Sequence, residues 1–237
     1  MRILVLQHIA CEPPGAFEDV LVERGADLHR VELDEGEPLP GLDGFDAVVA
    51  MGGPMSVNDE AEHPWLVGEK ALIREAVERD VPFWGSCLGV QLLASALGGR
   101  VHAGPAPEVG VLPVQLTAAA ATDPVFAGLP ETMPTLQWHG DTFELPEGAV
   151  LLATSPAYAN QAFRVGRSAY GVQFHVEVTP ELSHEWSVIP EYVAYADRVL
   201  GPGGIASLLA DFEARNEEMQ GHARGMFERW LDLVPQH

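Results

Sequence analysis

The 237 residues include 13 Lys and Arg against 35 Asp and Glu, which gives a formal net charge of −22. A surface of that sign repels nucleic acids and anionic membranes, so we expect neither as a partner. Hydrophobic residues make up 47% of the chain, enough for one sizeable core, and we predict a single domain over residues 1–237. No stretch approaches the roughly 20 consecutive apolar residues that a membrane span needs.

The first half of the chain alternates two kinds of hydrophobic pattern. Strands are predicted for 3–6, 27–33, 46–51 and 81–85, and helices for 17–24 and 64–79. This alternation is typical of an α/β fold, with a mostly parallel central sheet flanked by helices on both faces. Ligands of such sheets gather at the carboxyl ends of the strands. His8 follows the first strand and is therefore a candidate site residue, although a local hydrogen bond is the more ordinary role for a loop histidine.

The second half begins with strands and ends with helices. Further strands are predicted within 101–117 and at 135–138, 150–153, 161–164 and 170–177. From residue 180 on, an apolar stripe follows one helical face: Leu208, Phe212, Met219, Ala223, Met226, Trp230 and Leu233. We predict a helical C-terminal extension over about 180–237 that packs this stripe on the sheet. An exposed stripe that docks a partner is the alternative.

One motif joins the strand at 81–85 to a helix-like pattern: Gly85-Ser86-Cys87-Leu88-Gly89. A strand, a sharp turn and a helix form the context of a nucleophile elbow. The glycines suit the close approach of strand and helix, and the helix N-terminus favours a thiolate. We therefore predict that Cys87 is a nucleophile. A buried structural cysteine is the alternative.

A base for this cysteine is predicted in the strand at 170–177, which ends in His175-Val176-Glu177. Residues two apart on an extended segment point to the same side, so Glu177 can orient the imidazole of His175 toward Cys87. The strand at 46–51 ends in Gly52-Gly53-Pro54, a turn that can offer backbone N–H groups to an oxyanion. We assign the oxyanion hole to the N–H groups of Gly53 and of Leu88.

In this order and spacing, Gly-Gly-Pro, Gly-x-Cys-x-Gly-x-Gln and Gln-Phe-His-x-Glu resemble class I glutamine amidotransferases, which use a Cys-His-Glu triad. The closest similarity is to the glutaminase domain of GMP synthases and its stand-alone relatives, over residues 1 to about 180. The resemblance implies a flavodoxin-like architecture, and a Cys87 thioester through which glutamine is hydrolysed to glutamate and ammonia. Val176 departs from the proline that is usual in this family, but valine also fits an extended segment.

The resemblance also implies residues that bind the substrate. Gln91 lies one helical turn after Cys87 and corresponds to a residue that contacts glutamine. The backbone of His139, Gly140 and Asp141 corresponds to the segment that binds the α-amino and α-carboxylate groups. His139 is a poor candidate for the base, because we expect no carboxylate beside it at triad spacing. The remaining histidines follow no pattern and are expected at the surface: His29, His63, His102, His184, His222 and His237.

Three functions stay open on the sequence alone. The chain ends about 60 residues after Glu177 and has no Gly-x-x-x-x-Gly-Lys motif, so an ammonia acceptor is expected on a separate synthetase. A stand-alone γ-glutamyl peptidase or γ-glutamyl-amine hydrolase is the second possibility, and a catalytically silent binding module is the third. The chain has no Cys-x-x-Cys motif, and we expect no metal and no cofactor. A thiol nucleophile suits the reducing cytoplasm, although Cys11 and Cys87 could in principle form a disulfide.

Overall fold

The computed structural model describes residues 1–235. Its strands are β1 (Arg2–Gln7), β2 (Asp27–Glu32), β3 (Ala47–Ala50), β4 (Phe83–Ser86), β5 (Val101–Leu116), β6 (Thr132–Phe143), β7 (Val150–Thr154), β8 (Ala162–Val165) and β9 (Ala169–Val172). Its α-helices are α1 (Ala16–Glu23), α2 (Trp65–Glu78), α3 (Leu88–Ala96), α4 (Pro180–Trp186), α5 (Pro190–Leu200) and α6 (Gly204–Leu231).

Within these residues the nine strands form one sheet in the order β2-β1-β3-β4-β9-β8-β7-β5-β6. The strands from β2 to β9 in that order pair in parallel, and those from β9 to β6 pair antiparallel. Between 101 and 172 the chain has only a short 3₁₀ helix, at Ala120–Thr122. Parallel pairing needs a long crossover, usually a helix, so successive strands in this part pair antiparallel.

Helices cover both faces of the parallel half, which confirms the predicted α/β fold. Alternate side chains of β1 pack in two hydrophobic cores, one on each face of the sheet. Ile3 and Val5 pack with α1 and α6, whereas Leu4 and Leu6 pack with α2 and α3. All four side chains are fully buried. A strand buried on both faces reads as a continuous apolar run, which is why this pattern indicated a central strand.

The C-terminal helix α6 fulfils the packing prediction. The predicted stripe is buried from Leu208 to Trp230, and Leu233 is partly buried against the same core. The first part of α6 packs with α4 and α5, and its last turns reach α1, where Phe227 stacks on Phe17 with ring centroids 4.3 Å apart. None of the helices in residues 1–235 is both long and apolar enough to cross a lipid bilayer.

Candidate active site

Cys87 occupies the tight turn between β4 and α3, with φ 51° and ψ −105°. A positive φ is uncommon for a residue with a side chain and indicates a constrained backbone. The flanking glycines make the turn possible, because a Cβ on Gly85 would lie 2.5 Å from the carbonyl of Gly89, and a Cβ on Gly89 would lie 2.2 Å from the Ala50 oxygen. The thiol therefore stands at the N-terminus of α3, as the motif predicted.

His175 and Glu177 form a buried pair just after β9, with 2.7 Å between Nδ1 of His175 and Oε1 of Glu177. The backbone of His175 exchanges two hydrogen bonds with Leu136 of β6, which holds this segment extended. Burial lowers the pKa of His175, but the charges of Glu177 and Cys87 outweigh it and raise the pKa well above the ordinary value. The arrangement favours an imidazolium beside Cys87.

The valine at position 176 has a local consequence for Glu177. The Val176 N–H donates to Oε2 of Glu177 at 3.0 Å, while Oε1 faces His175. A proline has no N–H and could not make this bond. Both oxygens of the carboxylate are therefore held, and the departure from the usual His-Pro-Glu adds a contact to the pair.

Two residues of the predicted oxyanion hole have backbone N–H groups without an acceptor among residues 1–235. Gly53 and Leu88 both line the cleft beside Cys87. Within residues 1–235 neither amide donates a hydrogen bond to another protein group. Unpaired donors at a nucleophile elbow are the arrangement that an oxyanion requires.

Gln91 connects to Cys87 through a residue that sequence reasoning did not single out. Its Nε2 donates to Oε1 of Gln173 at 3.0 Å, and Nε2 of Gln173 lies 3.6 Å from the Cys87 sulfur. Gln173 is fully buried. Gln173 precedes His175 by two residues, so on an extended segment its side chain points to the same side as those of His175 and Glu177. This alternation could have identified Gln173 as a site residue.

His139 has a carboxylate partner, so the expectation that it lacks one was wrong. Its Nε2 lies 3.2 Å from Oε2 of Glu108, which the antiparallel pairing of β5 and β6 places opposite it. Its Nδ1 lies 2.9 Å from the Asp141 carbonyl oxygen. Burial raises the pKa of Glu108, but hydrogen bonds, chiefly from His139 and Ser155, bring it below the ordinary value. Both ring nitrogens of His139 are engaged, which still argues against its acting as the base.

The cleft beside Cys87, here called the Cys87 cleft, has a volume of about 450 Å³. Gln91, His139, Gly140 and Asp141 all line it, together with Gly53 and Leu88. Helix α5 adds Glu191, Tyr192 and Tyr195. Tyr192 stacks on Trp138 with ring centroids 5.4 Å apart. The C-terminal extension thus completes the cleft wall, which its apolar stripe did not reveal.

Glu12 is a further buried carboxyl group in this cleft. Tyr192 donates its hydroxyl to Oε1 at 2.7 Å, whereas Oε2 has no hydrogen-bond partner among the described residues. Burial raises the pKa of Glu12 above its ordinary value, more than His175 and Tyr192 lower it. Glu12 lies in a Pro-rich loop with no periodic pattern, so nothing in the sequence indicated that it would face His175.

The other histidines fall into two groups. His8 is fully buried and pairs with Glu69 of α2, so its interpretation as a loop histidine with a local hydrogen bond was wrong. Those expected at the surface are exposed or half-buried where the structure describes them: His29, His63, His102, His184 and His222. His237 lies outside the described residues.

An α/β sheet with a cysteine elbow, beside a histidine held by a carboxylate, is an arrangement typical of cysteine-dependent acyl-transfer hydrolases. The model of the family "Glutamine amidotransferase class-I" matches residues 16–187, and the chain belongs to this family. A glutamine amidotransferase-like protein of Salmonella typhimurium, YfeJ, is 34% identical over 76% of this chain and 77% of its own length.

Two further relatives differ in how much of their own length this chain covers. The crystal structure of a glutamine amidotransferase from Thermotoga maritima is similar with a TM-score of 0.88 and 32% identity, over 98% of both chains. The glutamine-hydrolysing GMP synthase of Lactococcus lactis is 41% identical over 55% of this chain, but the match spans only 24% of that enzyme. The similarity to GMP synthase therefore concerns one part of a longer protein.

Proposed function

We propose that the protein hydrolyses the γ-carboxamide of glutamine through a thioester on Cys87, with His175 as acid and base and Glu177 as its orienting carboxylate. The observation that carries the proposal is the buried His175–Glu177 pair, 2.7 Å apart, whose imidazole interacts with Cys87. Family membership supports glutamine as the substrate. Cys87 comes from the turn before α3 and the His175–Glu177 pair from the segment after β9, and these two segments meet beside one cleft, which argues against a silent binding module.

The reaction follows from the charges of the site. The Cys87 thiolate attacks the carboxamide carbon, and the N–H groups of Gly53 and Leu88 stabilise the oxyanion. The His175 imidazolium gives its proton to the leaving nitrogen, and ammonia departs. His175, now neutral, takes a proton from water, whose oxygen attacks the thioester to yield glutamate and free Cys87. Gln91 and the backbone of His139, Gly140 and Asp141 hold the amino acid end of the substrate.

The ammonia is proposed to reach an acceptor on a separate partner, and the reaction is proposed to take place in the cytoplasm. Cys11 and Cys87 are both free in the described part of the chain, as a thiolate nucleophile requires. If a synthetase partner exists, glutamine hydrolysis by the isolated protein should be slow and should rise when that partner is added. Ammonia and glutamate release with and without the candidate partner measures this difference.

A substitution at Gly53 tests the oxyanion hole. A Cβ at Gly53 would lie 2.7 Å from Sδ of Met55, 2.9 Å from Cβ of His8 and 3.1 Å from Cδ2 of Leu88. Gly53→Val should displace the Gly53 amide and lower kcat about 10²-fold or more, with a smaller change in KM, because the donor serves the transition state. Steady-state kinetics and the free energy of unfolding are measured together.

The control is Gly41→Val, because nothing lies within 4 Å of a Cβ at Gly41. This variant should leave kcat and KM unchanged. If Gly52 and Gly53 only form a turn, Gly53→Val will lose stability while kcat per folded molecule stays the same. That outcome would remove Gly53 from the oxyanion hole.

Hydrolysis of γ-glutamyl amines is the second candidate, and the lining of the Cys87 cleft favours it. Four carboxylic acids line the cleft: Glu12, Asp59, Asp141 and Glu191. Trp138, Tyr192 and Tyr195 add aromatic surface, and within residues 1–235 no lysine or arginine lines the cleft. Carboxylates and aromatic faces attract cations, so a γ-glutamyl compound with a cationic amine portion fits this lining. Glu191, Tyr192 and Tyr195 lie outside the 16–187 family match.

Kinetics of the purified protein distinguish the two candidates. Glutamine is compared with a γ-glutamyl dipeptide, a γ-glutamyl diamine and an uncharged γ-glutamyl alkylamine of equal length. An amidotransferase should prefer glutamine. A kcat/KM about a hundredfold higher for the diamine, or about 2.7 kcal/mol in transition-state binding, would favour the γ-glutamyl-amine hydrolase. If the acidic lining binds the cationic amine, kcat/KM should be higher for the γ-glutamyl diamine than for the uncharged alkylamine. Glu191→Gln should then reduce this ratio of kcat/KM values, which no other explanation predicts.

A further inference from the structure

A second buried ion pair, separate from the His175–Glu177 pair, contacts the Gly52-Gly53 turn. His8 comes from the loop after β1 and Glu69 from α2, with 2.8 Å between Nε2 of His8 and Oε1 of Glu69. Both side chains are 0% exposed. The other ring nitrogen, Nδ1 of His8, lies 3.1 Å from the Gly52 carbonyl oxygen. The imidazole therefore joins Glu69 on one side to the Gly52 peptide on the other.

The chemistry of this pair indicates a charged imidazole. Burial lowers the pKa of His8, but Glu69 outweighs it, and the pKa is raised above the ordinary value. An imidazolium has two N–H donors, and both have an acceptor here, in Glu69 and in the Gly52 carbonyl. A hydrogen bond from a charged donor is stronger than one between neutral groups. The contact to Gly52 is thus a strong anchor for one peptide group.

Buried ion pairs are weak evidence for stability, because apolar residues of similar size often stabilise a fold equally well. A contribution to stability therefore does not explain why a buried ion pair occupies this position. Trp65 of α2 stacks on His8 with ring centroids 5.5 Å apart, which fixes the plane of the ring. The direction of the Nδ1–H bond toward Gly52 is consequently fixed as well.

The peptide that His8 anchors carries the proposed oxyanion donor. In a trans peptide the C=O of Gly52 and the N–H of Gly53 belong to one plane and point in opposite directions, and the described residues contain no cis peptide bond. Anchoring the carbonyl on the His8 side turns the N–H to the opposite side. Gly53 lines the Cys87 cleft, and its N–H has no acceptor among residues 1–235.

Glycines on both sides leave this peptide free to rotate in the absence of an anchor. We propose that the His8–Glu69 pair is a positioning device that holds the Gly53 N–H toward the thiol of Cys87 and so sets the oxyanion hole. This inference rests on the proposed thioester reaction. His8 and Glu69 touch neither the substrate nor the reacting atoms, and they act through the Gly52-Gly53 peptide.

The test removes the anchor without leaving a buried charge. In His8→Leu/Glu69→Met both members become apolar, a change that commonly preserves stability. We expect kcat for the best γ-glutamyl substrate to fall about 10- to 100-fold, with KM changed less than about threefold, because loss of an oxyanion donor affects the transition state. His8→Asn/Glu69→Met also leaves no buried charge but retains an amide donor near the place of Nδ1, and we expect it to recover much of the kcat that His8→Leu/Glu69→Met loses.

A second readout separates positioning from general damage. Alkylation of Cys87 by iodoacetamide displaces iodide at a saturated carbon and forms no oxyanion, so its rate should be unchanged in His8→Leu/Glu69→Met. Three results would overturn the inference: a kcat of His8→Leu/Glu69→Met within about twofold of wild type, alkylation that falls in parallel with hydrolysis, or no recovery of kcat in a folded His8→Asn/Glu69→Met. Failure of the proposed function looks different, because Cys87→Ala would then hydrolyse γ-glutamyl substrates as fast as the wild-type protein.

Discussion

Cys87→Ala should abolish hydrolysis of every γ-glutamyl substrate, with a loss in kcat on the order of 10⁴ or more. The thiolate forms the bond to the acyl group, so no other residue of the site can replace it. Alanine keeps the Cβ of Cys87, and the backbone at φ 51° is held by β4 and α3 rather than by the sulfur. The variant should therefore have the same midpoint of denaturant unfolding as the wild-type protein, measured on the preparation used for the kinetics.

Labelling with a glutamine-analogue electrophile identifies the reactive thiol independently. It should modify Cys87 and spare Cys11. Burial raises the pKa of the Cys11 thiol more than the hydrogen bond with the Tyr192 hydroxyl, 3.5 Å away, lowers it, so Cys11 forms little thiolate at neutral pH. Cys11→Ala is the matched control and should keep full activity. Labelling that persists in Cys87→Ala would refute the assignment of the nucleophile.

The parts of the structure that were predicted well from the sequence have local causes. A continuous apolar run such as 3–6 indicates a strand covered on both faces, and a glycine on each side of Cys87 indicates a tight turn. The helical spacing from Leu208 to Trp230 indicated a buried face, and α6 buries it. In each case the sequence pattern and the structural element that it predicts lie in the same stretch of the chain.

The parts that were missed depend on contacts between distant segments. Glu12 meets Tyr192 across 180 positions of sequence, and Glu69 meets His8 across 61. Glu69 has a fully buried side chain on an amphipathic helix, where a glutamate is ordinarily exposed. The partner of His139 followed only from the register of β5 against β6. Neither periodicity nor spacing specifies such a register.

Replacement of His175 by alanine should reduce activity nearly as much as loss of Cys87, on the order of 10⁴ in kcat, because one imidazole serves as both acid and base.

Glu177→Gln should leave a measurable rate, because the carboxylate orients the ring and stabilises the imidazolium without exchanging protons with the substrate. The Val176 N–H can still donate to the amide oxygen of the introduced glutamine, so the segment should keep its conformation.

The pH dependence separates these roles. The Glu177 carboxylate raises the pKa of His175, so the imidazolium persists to higher pH than that of an ordinary histidine. Activity that needs the imidazolium is lost as the pH rises through that raised pKa. In Glu177→Gln this contribution disappears, and the alkaline limb of the kcat profile should shift to lower pH. His139→Ala is the comparison, and it should change KM more than kcat, because His139 lines the cleft with both ring nitrogens engaged. A larger loss of kcat in His139→Ala than in His175→Ala would show that the base is His139.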